Sequence, residues 1–181
     1  MRIDACGKTF YSRHMKAEDA AAVCRWRYGG PMEAYNTEDT PEERRSFLDG
    51  WHFALSRTFG GPVEAFVGLG PKATVPIPPL AGIYGDESYT DFAVGLMPEL
   101  VGRGYGKALI TAAMRVASDC FPGDGFRATV SADNVPANRI YEELGFIAVA
   151  RADAEVIFPA TADGIINTKN MEIVIWTKDK T

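Results

Sequence analysis

The chain reads as a mixed α/β sandwich, and three observations carry that reading. From residue 89 onward, strand-like and helix-like segments follow in the order β–α–β–α–β–β. Residues 89–97 place Phe92, Val94 and Leu96 on one face and Ala93, Gly95 and Met97 on the other, so both faces are apolar, as in a central strand. Two turn signatures, glycines at 102, 104 and 106 and a cap at Asn134, each sit between a strand and a helix.

Taken in order, residues 8–15 read as a first strand that can pair with residues 1–5 around Gly7. Residues 17–28 read as a helix with Glu18 and Asp19 in its first turn and Gly29-Gly30-Pro31 at its end. Thr40-Pro41-Glu42-Glu43 announces a second helix: Thr40 caps, Pro41 suits the first helical position, and Glu43 completes a capping box. The apolar spacing of Phe47, Trp51 and Leu55 carries that helix on to Phe59-Gly60-Gly61-Pro62. Strands are then expected at 63–67 and 80–84, with Pro71, Pro76, Pro78 and Pro79 excluding helix and central strand between them. A helix over 104–118, a strand over 126–132, a short helix closed by Gly145, and strands at 146–149 and 171–177 complete the chain. Residues 152–170 read as irregular and as a candidate substrate mouth.

At 181 residues with 46% hydrophobic residues, the chain has the length and composition of one domain spanning 1–181 with a sizeable core. The net charge of −5 argues against nucleic-acid binding, which needs a basic surface. No apolar run approaches the roughly 20 residues of a membrane span. Cys6, Cys24 and Cys120 are odd in number and widely spaced, which fits reduced thiols in a cytoplasmic protein and offers no metal-ligand spacing. His14 and His52 have no ligand-like neighbours either, so no metal is expected.

Val101-Gly102-Arg103-Gly104-Tyr105-Gly106-Lys107 organises the rest. Glycine lets backbone N–H groups approach a bulky anion, and the following helix adds its unpaired N–H groups and positive dipole end. Arg103 and Lys107 bring two cations to the same place without an acid between them. Strand, glycine turn and helix together form a pyrophosphate cradle.

Residues 98–106, Pro-Glu-Leu-Val-Gly-Arg-Gly-Tyr-Gly, resemble the acyl-CoA pyrophosphate loop of the GNAT superfamily of N-acetyltransferases. Residues 134–146, Asn-Val-Pro-Ala-Asn-Arg-Ile-Tyr-Glu-Glu-Leu-Gly-Phe, resemble that superfamily's second motif, and the element order agrees along nearly the whole chain. The resemblance implies a mostly antiparallel sheet flanked by helices, with a central splayed parallel pair, here 89–97 and 126–132. It implies acetyl-CoA as cosubstrate. Backbone amides of Val101, Gly102, Arg103, Gly104, Tyr105 and Gly106 would hold the pyrophosphate with Lys107, and Asn134 and Asn138 would lie along the cofactor. The backbone N–H of Leu96 or Met97 would meet the thioester oxygen. Val101 stands where the superfamily usually has Arg or Gln, and Thr129 where some members carry a glutamate base.

Acetyl transfer to an amine needs a neutral amine, a polarised carbonyl and a proton for the departing thiolate. The resemblance gives the last task to Tyr141, whose phenol of pKa about 10 is matched to a thiol of about 8.5. The base is open: Asp91 and Glu99 are the nearest acids to the glycine loop, Glu33 and Tyr35 could reach the mouth from residues 32–39, and water could serve instead. Asp91, Glu33 and Tyr35 are therefore candidate substrate contacts. The expected acceptor is a small-molecule or peptide amine, with the acidic chain leaning toward a cationic one, and the expected state is a monomer or homodimer. Two other readings stand beside this one. An idle acyl-CoA sensor could share the fold, and a Rossmann-type nucleotide-binding module has a similar fingerprint, although here the third glycine comes one position early.

Overall fold

The structure, a computed structural model, describes residues 1–75, 78–158 and 167–180. Strands β1 (Arg2–Ala5) and β2 (Lys8–His14) form a hairpin whose turn residues Cys6 and Gly7 both have positive φ. Helix α1 (Ala17–Val23) follows, anchored at its start by Asp19, which accepts hydrogen bonds from the Lys16 backbone and the Arg13 guanidinium. A 3-10 turn (Gly30–Tyr35) leads to α2 (Pro41–Ser46), where Thr40 accepts from the Glu43 N–H as its capping signature requires.

The apolar spacing that extends this second helix to Leu55 misleads. Helix α2 ends at Ser46, Gly50 takes φ 90°, and the Asp49 carboxylate accepts from the Trp51 N–H. The chain then enters β3 (His52–Ser56), which pairs with β2 on one side and β4 (Ala65–Leu69) on the other. Two ladders outweigh a helical spacing that holds for only three side chains. The prolines mislead as well. Pro78 and Pro79 open a helix, α3 (Pro78–Tyr84), because the first helical turn has no need of their missing N–H groups.

The second half follows its pattern closely: β5 (Tyr89–Leu96), α4 (Gly106–Cys120), β6 (Gly125–Ser131) and α5 (Val135–Glu143). Strands β7 (Ile147–Phe158) and β8 (Asn167–Asp179) then pair along their whole length with one irregularity at Ala148/Ala150. Residues 152–158 and 167–170 are thus ladder, not irregular mouth; residues 159–166 lie outside the described residues.

The eight strands form one sheet in the order β1-β2-β3-β4-β5-β6-β8-β7, and among the described pairings only β5–β6 is parallel. Helices α4 and α5 cover one face over the main core, built on Phe92, Leu109, Ala113, Val116, Phe126 and Trp176. The other face carries two smaller clusters. One holds α1 and Phe47 against Ala54 and Val63, and the other holds Leu80 of α3 against Ile173 and Ile175. No helix among the described residues is long and apolar enough to cross a membrane.

Arg127 of β6 is 1% exposed and lies against Asp91 of β5 through two 2.7 Å hydrogen bonds. It also donates to the carbonyls of Ile83, Tyr84 and Asp86, so it ties α3 to the parallel pair. Removing one partner of such a pair strands a buried charge. Asp91→Ala should therefore cost about 3 kcal/mol, a fall of roughly 9 °C in melting temperature. Asp91→Ala/Arg127→Met should recover part of that loss. A calorimetric Tm for Asp91→Ala within about 2 °C of the wild type would remove this pair from the account of the sheet.

Candidate active site

Beyond β5 the chain makes a 3-10 turn (Pro98–Leu100) and then the glycine turn. Gly102 and Gly104 both have φ 76°, a region that L side chains enter at a cost, and a Cβ at either would meet nothing within 4 Å. The glycines are thus required by backbone conformation, and the space before them is open. The N–H groups of Val101 and Arg103 are engaged within the turn, donating to Pro98 O at 3.1 Å and Leu100 O at 3.2 Å. Those of Gly102, Gly104, Gly106 and Lys107 have no acceptor among the described residues. They lie at or just before the N-terminus of the 15-residue α4, whose first turn carries no acid. Gly106 has a further reason: a Cβ there would come within 2.7 Å of Ile140 Cδ1, so it sets the approach of α4 to α5.

The parallel register runs only over Tyr89↔Gly125, Thr90↔Phe126 and Asp91↔Arg127. Past it, β5 stays with β4 as far as Leu96, while β6 stays with β8 as far as Ser131. A gap therefore opens between the C-terminal ends of β5 and β6. Of the two amides expected to face it, that of Met97 is taken, donating to Glu64 O at 2.9 Å. Alternation along an antiparallel ladder then turns the Leu96 N–H the other way, toward the gap. The Leu96 carbonyl accepts from the Tyr28 hydroxyl at 2.9 Å.

A cavity of about 410 Å³ passes through this gap. On the side of α4 and α5 it is lined by Gly102, Gly104, Leu109, Ala137 and Ile140. On the opposite face its walls are Trp26, Tyr28, Met32, Phe47 and Phe66, with Tyr35 near the rim. Tyr28 is fixed by Asn36, whose side-chain amide accepts from the Tyr28 N–H at 2.6 Å and donates to its carbonyl at 3.1 Å. Burial, then the Glu99 charge, pushes the Tyr28 phenol well above its ordinary pKa. Trp26, Tyr28 and Phe47 carry no sequence signal of this role, because apolar groups facing a cavity and apolar groups in a core look the same in sequence.

The expected site residues divide. Val101, Leu96, Tyr35 and Asn134 line the cavity. Asn134 caps α5 by accepting from Ala137 N–H at 3.3 Å, and its Nδ2 donates to the Tyr35 hydroxyl at 3.3 Å. Arg103 is exposed with no ion-pair partner among the described residues, and Lys107 lies 3.5 Å from Glu143. The Tyr105 side chain turns toward β2, where its ring packs on Phe10, carries Lys8 Nζ at 4.7 Å, and its hydroxyl accepts from Arg57; its backbone N–H, the group expected at the pyrophosphate, has no acceptor among the described residues. Asn138, expected along the cofactor, is engaged within the fold: its Nδ2 donates to Ser131 O, Ala132 O and Asn134 O, and its Oδ1 accepts from Trp176 Nε1 at 2.9 Å. Every polar group of that side chain is used to tie α5 to β6 and β8.

Asp91 is likewise engaged within the fold. It sits where the strands still pair, bound to Arg127, and it lines a separate cleft with Tyr84 and Asp124. Glu33 and Glu99 are exposed and do not line the cavity. Thr129 is bound to the Tyr84 hydroxyl at 2.7 Å. His52 is buried and hydrogen-bonded to Asp49; burial pushes its pKa down against the pull of that carboxylate. Tyr141 is 3% exposed, stacked at 14° on Trp176 and edge-on to Phe146. It lies one helical turn beyond Ala137, behind the cavity wall. Burial and then the nearby Tyr35 push its phenol well above the ordinary value. No group of three His, Cys, Asp or Glu is placed to hold a metal among the described residues.

Residues 21–146 match the family model described as the Acetyltransferase (GNAT) family, so the chain belongs to that family. It is an acyltransferase by fold and family, and acetyl-CoA is the family's cosubstrate. Solved structures agree. An acetyltransferase of the GNAT family from Bacillus anthracis is 13% identical over 99% of this chain and 98% of that one, with a TM-score of 0.66. Mutant forms of the spermidine/spermine N-acetyltransferase SpeG from Vibrio cholerae are 14% identical over 94% of each chain, with a TM-score of 0.63. A Salmonella typhimurium chain assigned as an acetyltransferase, solved with its cofactor acetyl-CoA, is 16% identical over 94% of this chain and 93% of that one, at 0.60. These likenesses establish the fold. No curated protein sequence matches the chain. The mostly antiparallel sheet also excludes the Rossmann alternative.

The φ of 76° at Gly104 gives a graded expectation. Gly104→Val should destabilise by about 2 kcal/mol, because a β-branched residue resists positive φ, and Gly104→Asn by about half as much. Equal urea midpoints for the two variants would show that the turn tolerates another conformation.

Proposed function

We propose that the chain is a one-domain cytoplasmic N-acetyltransferase that moves the acetyl group of acetyl-CoA to a primary amine by direct attack in a ternary complex. The observation that carries this is the run of N–H groups at Gly102, Gly104, Gly106 and Lys107 that have no acceptor among the described residues, leading into α4, with the three glycines lining the cavity. Residues and group fit: a diphosphate needs several free donors close together and room beside them, and a Cβ at Gly102 or Gly104 would meet nothing within 4 Å. Arg103 adds a free cation at the rim. The cytoplasmic setting is supported by three free thiols, Cys6, Cys24 and Cys120.

Acetyl-CoA supplies an acyl group activated as a thioester. The chain's own residues do the rest. The glycine turn holds the phosphates, and the apolar wall of Leu109, Ala137 and Ile140 receives the arm and excludes water. The Leu96 N–H stabilises negative charge on the carbonyl oxygen during attack. The amine nitrogen forms the C–N bond as the C–S bond breaks; the sulfur takes a proton, and the nitrogen gives one up to water or, through water, back to the donor. We assign the donor role to Tyr141. Its raised pKa keeps the phenol protonated throughout the physiological range, the state an acid must start from.

Tyr141→Phe keeps the stacked ring and removes only the hydroxyl. Single-turnover acetyl transfer should fall by roughly 10²-fold or more, with Kd for CoA nearly unchanged. Wild-type activity should not decline as pH passes about 10, the ordinary phenol value. A variant within about twofold of wild type would return Tyr141 to the core and leave water to protonate the thiolate.

A further inference from the structure

The cavity wall opposite the glycine turn is built almost wholly of rings. Trp26 stacks on Phe66 with centroids 6.1 Å apart, and Phe47 meets Phe66 edge-on at 5.4 Å. Gly95 leaves that wall flat, since the Phe66 ring fills the place of its side chain. Among the described residues that line the cavity, none is Asp, Glu, Lys, Arg or His. Its polar side-chain groups are the hydroxyls of Tyr28, Tyr35 and Thr37, the Asn134 amide and the Trp26 indole N–H. Glu33, Glu38 and Asp133, each next in the chain to a lining residue, do not line it themselves.

We infer that the acceptor is a primary monoamine carried on an apolar, ring-sized body, and not a polyamine or other polycation. The inference rests on the proposed acetyl transfer and names the substrate class of that same site. A second ammonium in this cavity would lose its water and find no carboxylate, a loss that hydroxyls alone do not restore. An aromatic or branched apolar body instead gains the burial of its surface against Trp26 and Phe66. The same surroundings favour the neutral form of the reacting amine, because desolvation lowers an amine's pKa. The attacking lone pair is then available without a side-chain base, which agrees with a lining that offers no carboxylate or imidazole. The lean toward a cationic acceptor drawn from the overall charge of −5 is thereby reversed: that charge lies on the outer surface, not in the cavity.

The test is thiol release from acetyl-CoA by the full chain with phenethylamine, isopentylamine, putrescine and spermidine at one pH, alongside acetyl-CoA binding by calorimetry. The kcat/KM for phenethylamine and isopentylamine should exceed that for the two polyamines by about tenfold or more, the scale of one apolar group seated or unseated in a fitted pocket. Trp26→Ala should raise KM for phenethylamine by about tenfold and leave Kd for acetyl-CoA unchanged. Met32→Glu, on the 3-10 turn outside the main core, should shift preference toward putrescine by placing a carboxylate in the cavity. Polyamines that match or surpass phenethylamine would overturn the inference. So would unaltered kinetics in both variants, or no turnover with any of the four amines. In that last case, tight acetyl-CoA binding would leave the cosubstrate half of the functional reading standing, and absent binding would end both.

Discussion

The site depends on one buried ion pair, Arg127 with Asp91. It clamps β5 to β6 at the level where their parallel register ends, and it draws the end of α3 onto the same point. Below the clamp the two strands are one sheet; above it each follows a different antiparallel neighbour. An interior Arg–Asp pair is weak evidence for net stability, because desolvation offsets much of the attraction. Its value here is geometric. A fixed hinge makes the divergence above it a defined opening, and a defined opening can hold two reactants at a constant separation.

That opening joins two unlike chemistries. On one face of the sheet, a turn with two glycines at positive φ and a helix N-terminus carry N–H groups that have no acceptor among the described residues. On the other, rings carried by the segments around α1 and α2 close an apolar chamber. Tyr28 couples the two halves: Asn36 holds its backbone, and its hydroxyl holds the Leu96 carbonyl, whose neighbouring N–H faces the gap. The two sides meet at the strand end, where the Leu96 N–H faces the gap.

How much of this was legible in the sequence follows from how local each feature is. The glycine turn, the Asn134 cap and the strand–helix alternation around them are set within a few residues, and they read correctly. Phe47, Trp51 and Leu55 share a helical spacing by coincidence, and only the ladders from β2 and β4 show that Trp51 and Leu55 belong to a turn and a strand. Pro78 and Pro79 read as breakers because proline stops a helix from inside but opens one at its first turn. Asp91 and Asn138 look like site residues by type and place, yet partners 36 and 38 positions away, Arg127 and Trp176, claim them. The ring-lined chamber was the least legible part. Nothing in the spacing of Trp26, Met32 and Phe66 separates a wall from a core.

The central claim is that the glycine turn binds the diphosphate of acetyl-CoA through specific free amides, and residue-resolved NMR during a CoA titration tests it most directly. The amide signals of Gly102, Gly104, Gly106 and Lys107 should shift downfield and saturate together. Those of Val101 and Arg103, already bonded within the turn, should move much less. A titration in which the largest shifts fall elsewhere, or in which all six amides move alike, would contradict the account.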